Sequence, residues 1–300
     1  MAGPEPGSAQ FPMPGCVKLS SPETHQFWEI PVLHHDEHLL ALDKPAGLPI
    51  SPDPDDPERP SLVPLLHAAI AAGKPWAREY GLSFLASAQR LDTETSGVLL
   101  FARDKSTLST LANWFGAARP GRQYVALVEG NPPHDIFEVD ARLAPHPTRP
   151  GLVHVNSNTG KTSRTQFEVL ERFRDYCLVK CDALMDRRHQ VRVHLRHAHF
   201  PVLGDRAYGG PLLMLSRLKP GYRPKHNQPE NPLLAAPALY ADRLSLPHPV
   251  TGVPLTITAS QPKELSVALK YLRLFNSVPV GQSPADSATQ EPPATPPASS

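Results

Sequence analysis

Proline constrains this chain more than any other residue. There are 37 prolines in 300 residues, more than twice the usual share of roughly 5%. Each fixes φ and lacks a backbone donor, so a proline inside a helix or central strand breaks it. A plain helical bundle is therefore excluded. The prolines are clustered, with five in the first 25 residues, six in 277–300, seven from Pro45 to Pro64 and five from Pro220 to Pro237. Loops and ends carry the excess. Residues 1–25 and 277–300 hold too little apolar surface to offset the entropy of ordering and read as disordered tails. One domain is expected between them, over 26–276, because no repeat or internal linker interrupts it.

A hydrophobic share of 40% and a charged share of 20% suit a folded globular domain. No apolar run reaches the roughly 18 residues of a membrane span, so no membrane association is expected. The opening MAGPEPGSAQ has neither a basic nor an apolar signal-peptide region. Three cysteines, Cys16, Cys177 and Cys181, make no disulfide framework, which fits a reducing, cytoplasmic location. The formal net charge is +1, yet Lys161–Lys225 holds 14 Lys and Arg against six Asp and Glu. Four histidines add to that band (His189, His194, His197 and His199). A local excess of positive charge is the footprint expected for a polyanion, and also that of an ordinary solvated face.

Apolar spacing predicts helices over 62–72, around Leu108–Phe115 with Ser106 as N-cap, and around Leu265–Leu272 after Pro262. Strand-like runs are Leu39–Asp43, Val98–Ala102, Tyr124–Val128, Thr165–Leu170, Tyr176–Ala183 and Leu239–Leu246. Strands outnumber helices and short loops join many of them. The fold class that follows is α+β, a mixed and largely antiparallel central sheet flanked by helices and loops.

Two segments carry the chemistry. In Gln89-Arg90-Leu91-Asp92-Thr93-Glu94-Thr95-Ser96-Gly97, a loop carboxylate feeds a buried-looking strand, a rigid mount for reaction or simply a capped turn. In Asp186-Arg187-Arg188-His189-Gln190-Val191-Arg192-Val193-His194-Leu195, Arg188, Arg192 and Arg196 stack on one face if the segment is helical. Their repulsion is then relieved by a phosphate or an internal carboxylate. The alternation of Val191, Val193 and Leu195 leaves a strand open. His194, His197 and His199 lack partners at a metal-ligand spacing, so no metal is expected, and Cys177 and Cys181 read as core thiols. GxxxxGK[ST], GxGxxG and GxSxG are absent, which argues against a nucleotide cofactor and an α/β-hydrolase.

Together these segments resemble the RluA family of pseudouridine synthases, which isomerise uridine in RNA. Ala41–Pro49 is similar to its KPxG segment, and Arg90–Gly97 to its RLDxxTSG signature. Arg122–Gly130 is similar to its KxYxAxVxG strand. Arg187–Leu195 with Pro201–Asp205 and Tyr208-Gly209 is similar to its third signature, and Leu239–Gly252 is a weaker fifth match. Gln89 stands where the family usually has His, and Asp186-Arg187-Arg188 where it usually has Gly-Arg-Thr or Gly-Arg-Ser.

The resemblance implies the pseudouridine synthase catalytic fold and an RNA isomerase acting on ribosomal or transfer RNA, as a monomer without cofactor. It implies Asp92 as the essential carboxylate, Arg192 as its partner, and Tyr124 as the ring that stacks on uracil and handles the carbon-5 proton. Arg90 is then the residue that fills the gap left by a flipped base, with Thr95, Arg187, Arg188, His189, Val191 and Arg196 as further RNA contacts. From the basic band of Lys161–Lys225, Arg206 joins Arg187, Arg188 and Arg196 as an expected phosphate contact, and the long Pro220–Pro237 loop as an RNA-facing element. A non-catalytic RNA-binding protein and a histidine-bound metal hydrolase are the competing classes.

Overall fold

The computed structural model describes residues 15–54, 56–223 and 229–278. Most of both expected tails, and part of the Pro220–Pro237 loop, lie outside the described residues. The expected N-terminal boundary at 25 needs correction. Cys16–Ser21 forms strand β1, paired antiparallel with β2 (Gln26–His35). Val17, Leu19 and Ser21 point inward while their neighbours face out. This period-two pattern is six residues long and sits between prolines, so it reads as tail. At the other end Ser277 bridges Phe173, one residue past the expected boundary.

After β2 come β3 (Leu39–Lys44), helices α1 (Leu62–Ala71) and α2 (Pro75–Glu79), β4 (Ala86–Ser87) and β5 (Ser96–Ala102). Helix α3 (Lys105–Gly116), β6 (Gly121–Glu129), β7 (Ile136–Asp140), β8 (Leu143–Pro145) and β9 (Val153–Val155) follow. The rest is β10 (Arg164–Arg172), β11 (Tyr176–Ala183), α4 (Gln190–His197), α5 (Leu215–Leu218), β12 (Leu239–Pro247), β13 (Pro254–Thr258) and α6 (Lys263–Phe275). The central sheet runs β1-β2-β3-β5-β12-β6-β11-β10-β7, with β4 beside β5 and β13 beside β12. All of its pairings are antiparallel except β5 with β12. The architecture is the mixed α+β class that the strand-rich pattern predicts.

The middle strands are apolar on both faces because both faces are covered. Leu40, Leu42, Leu99 and Phe101 pack toward α1 and α2. Leu39, Ala41, Val98 and Leu100 pack with Leu111 and Phe115 of α3. Each buried Leu, Val and Phe contributes roughly 1.5–3 kcal/mol, so β3 and β5 form a stiff mount for the loop that enters β5. Helix α3 starts two residues earlier than expected. Asp104, not Ser106, is its N-cap, and its carboxylate accepts from Thr107 N at 2.8 Å and from the Ser106 hydroxyl at 2.6 Å. A carboxylate outcompetes a hydroxyl for the first-turn donors.

Gly97, the last residue of the RLDxxTSG segment, has φ +109, and a Cβ there would lie 2.2 Å from the Ala241 carbonyl oxygen. The parallel β5–β12 contact at Ser96 and Gly97 needs that close approach. Gly97→Ala is expected to destabilise the protein by more than about 1 kcal/mol, since it combines a forbidden φ with a backbone clash. Urea denaturation checks this, and an unchanged midpoint would contradict it.

Candidate active site

The Asp92 loop is fixed from beneath by a lysine. Lys44 ends β3 fully buried, and its Nζ donates to Pro45 O at 2.9 Å, Leu48 O at 3.0 Å and Thr93 O at 3.1 Å. Gly47 N also donates to Thr93 O at 2.8 Å, and Thr95 N closes a turn onto Asp92 O at 3.1 Å. Thr95 itself is buried. Gln89 donates to Val98 O at 2.8 Å, so this replacement for the family's histidine anchors the loop to β5. The KPxG and RLDxxTSG segments are thus one structural unit.

Burial lowers the Lys44 ammonium from 10.5 to about 8, against the opposing charges of Asp92 and Glu94. Between those two values the unfolded chain holds a proton that the native chain has released, so stability rises with pH across that window. Relative to Lys44→Met, the wild type is expected to gain on the order of 2–3 kcal/mol between about pH 7.5 and 10. Urea titrations of both proteins at the two pH values measure it. A constant difference between them would contradict it.

The open choice for the Arg188–Arg196 segment resolves as helix α4, but the expected arginine stack does not form. Arg188 lies before the N-cap, His189, whose left-handed φ of 54 turns the chain into the helix. Arg196 is exposed at the far end. Arg192 faces inward and is buried, so its charge is met by carboxylates rather than by a neighbouring arginine. Its Nε and Nη2 grip Asp205 as a bidentate fork at 2.7 and 2.8 Å. The remaining nitrogen, Nη1, lies 3.5 Å from Asp92 Oδ2 and 3.3 Å from Glu94 Oε2. The Tyr208 ring covers the guanidinium, with Arg192 Cζ 5.1 Å from its centroid. Hydrogen bonding to Asp205, with the negative charges of Asp205, Asp92 and Glu94, outweighs desolvation and raises the Arg192 pKa further.

Tyr208 also organises His189. Its hydroxyl accepts from Val153 N at 3.1 Å and lies 2.7 Å from His189 Nδ1. A Tyr208 hydroxyl that donates to Nδ1 leaves the ring's own proton on Nε2, which faces Asp92 Oδ1 at 3.8 Å. Burial lowers the His189 pKa, so the ring is neutral at physiological pH. Burial, and then the charge of Asp186, raises the Tyr124 phenol, which therefore stays protonated.

One cleft is lined by Asp92, Tyr124 and Arg192 together with Arg90, Thr95, Arg187, Arg188, His189 and Val191. All three residues expected to be catalytic, and most of the expected RNA contacts, meet there. Arg196 and Arg206 are exposed and do not line it. Glu94, Asp205, Tyr208 and Lys44 join the site although none stands out as a site residue in the sequence. All four lie inside the recognised segments, and that was the available signal. His194 is internal, with its ring nitrogens 2.9 Å from Thr165 Oγ1 and 3.0 Å from Ser163 Oγ. Among the described residues, no three His, Cys, Asp or Glu side chains converge as metal ligands, and no helix is long and apolar enough to cross a membrane.

The site is thus an aspartate loop held against a buried arginine at the edge of a cleft in a mixed sheet. The same fold occurs in human RNA pseudouridylate synthase domain containing 4, with TM-score 0.60 at 22% identity, over 81% of this chain and 92% of that one. The family model described as RNA pseudouridylate synthase matches residues 38–197. The chain is 32% identical to ribosomal large subunit pseudouridine synthase D of Xylella fastidiosa, covering 81% of this chain and 69% of that protein. It is also 32% identical to ribosomal large subunit pseudouridine synthase C of Salmonella typhi, covering 81% and 70%. The chain belongs to the RluA family of RNA pseudouridine synthases, and is an isomerase that acts on RNA.

Proposed function

We propose that this enzyme converts uridines of ribosomal RNA to pseudouridine, with Asp92 as the essential carboxylate. The observation that carries the reading is the Asp92 loop itself. It is locked by Lys44 and Gly47 and aimed, beside Arg192, into a cleft walled by Tyr124. A carboxylate held this rigidly meets the positioning demand of attack on, or assistance at, the ribose carbon. The bond from uracil N1 to C1′ breaks, the freed base turns, and C1′ joins C5. N1 then gains one proton and C5 loses one, so no redox partner or external energy is needed.

Arg192 balances the Asp92 charge and fixes its direction, and Tyr124 stacks on the base. A structured uridine is flipped into the cleft at a cost of a few kcal/mol, and exposed Arg90 fills the gap it leaves. Arg187 and Arg188 hold the adjoining phosphates, with Thr95, His189 and Val191 shaping the cleft. Arg196 and Arg206 contribute at longer range. Ribosomal RNA is favoured over transfer RNA because both relatives named above carry ribosomal substrates in their names. The protein works as a monomer in the cytoplasm. Pseudouridine mapping of ribosomal RNA from cells with and without it tests the substrate. Loss of specific sites is expected, and identical maps would overturn the assignment.

A further inference from the structure

We propose that Asp186 is the residue that identifies the target base, by accepting the N3–H of uracil, and that Arg122 is the positioning residue behind it. The proposal rests on the uridine-isomerase reading of the cleft and adds what selects the base within it.

Asp186 stands where the family pattern usually has glycine, so the side chain is an addition of this sequence. It lines the same cleft as Asp92 and Tyr124, and 32% of it is exposed. Behind it lies Arg122, two residues before Tyr124 on β6 and therefore on the same face of the strand. Arg122 is 6% exposed. Its Nε, Nη1 and Nη2 are all buried without a hydrogen-bond acceptor among the described residues. The Phe115 ring lies 5.9 Å from its Cζ, and Asp186 Oδ2 lies 3.6 Å from its Nη1. A buried guanidinium without hydrogen bonds is costly, and one carboxylate at that distance compensates it only in part. Its field therefore bears on Asp186, which lines the same cleft as Tyr124.

The chemistry of the base matches that placement. Uracil presents a donor at N3 between two carbonyl acceptors, whereas cytosine presents an acceptor at N3. A carboxylate accepts from the first and repels the second. N3 also lies on the N3–C6 axis, about which the base turns to exchange N1 for C5. A hydrogen bond at N3 survives that turn, while partners of O2 and O4 must exchange. One fixed acceptor thus serves both selection and retention of the free base, without further reactants.

The test uses a synthetic RNA hairpin spanning a uridine mapped as above, tritiated at C5, with uridine or N3-methyluridine at that position. Wild type, Asp186→Ala, Asp186→Asn and Arg122→Met are compared by kcat/KM for tritium release. In the wild type, methylation is expected to cost ~10–100-fold, as for a hydrogen bond to a charged group. In Asp186→Ala the penalty falls to under roughly 3-fold, because the lost contact and the vacated space both favour the methyl group. Asp186→Asn keeps an acceptor and retains an intermediate preference. Arg122→Met weakens the preference mainly through KM. Equal methyl penalties in the wild type and Asp186→Ala would overturn the assignment of Asp186 alone. No release from the unmodified hairpin by the wild type would overturn the isomerase reading itself.

Discussion

Asp92→Asn is expected to lower tritium release from C5-labelled uridine RNA by at least roughly 10³-fold, while RNA affinity stays within a few-fold. The substitution keeps size and shape and removes the negative charge. The loop is held through backbone carbonyls, Thr93 O to Lys44 and Gly47 and Asp92 O to Thr95, so it does not depend on the Asp92 side chain. The cleft cations Arg90, Arg187 and Arg188 are likewise untouched. Chemistry and binding should therefore separate cleanly. Filter binding beside the release assay measures both. Turnover near the wild-type rate would remove Asp92 from the central role, and parallel loss of binding would make it a structural residue.

The second large effect concerns stability. Asp205 is 1% exposed and takes two of the three guanidinium nitrogens of Arg192, itself 3% exposed. Asp205→Ala leaves a buried cation with its fork empty, which costs about 3–5 kcal/mol. Asp92 and Glu94 meet only Nη1, at 3.5 and 3.3 Å, and cannot replace a bidentate partner on the opposite edge. Activity is expected to fall too, because Arg192 would tilt toward the vacancy and away from Asp92. Urea denaturation gives the first quantity, and kcat at a temperature where the variant remains folded gives the second. A loss below about 1 kcal/mol would mean that the pair is replaceable.

Period and composition made much of the fold legible. Val98–Ala102 reads as a buried strand because both its faces are covered, and Leu265–Leu272 as a helix because only one face is. Strands β1, β4, β7, β8, β9 and β13 escaped because they are short edge or hairpin strands whose pairing lies in tertiary contacts, and the longer internal β2 escaped because only Ile30 and Val32 are buried along it, around Pro31 and ahead of a register shift. Ser106 as a cap failed because a stronger acceptor stood two residues earlier. In the site, Asp92, Tyr124 and Arg192 were legible as motif positions, each by resemblance. What one chain could not show was the shared use of Arg192 by Asp205, Asp92 and Glu94, which lie 13, 100 and 98 residues away. Lys44 was hidden for the same reason, because its partner Thr93 is 49 residues distant. The N-cap at His189 also defeated periodicity. A left-handed residue breaks the helical count, so Arg188 falls off the face that the spacing of Arg192 and Arg196 describes.

The most direct measurement takes ribosomal RNA from cells that lack this protein and incubates it with purified wild type or Asp92→Asn before site-by-site pseudouridine mapping. The account predicts new pseudouridine at a small set of uridines with the wild type and none with the variant. Ribosomal RNA left unchanged by the wild type, or modified equally by both proteins, would contradict it.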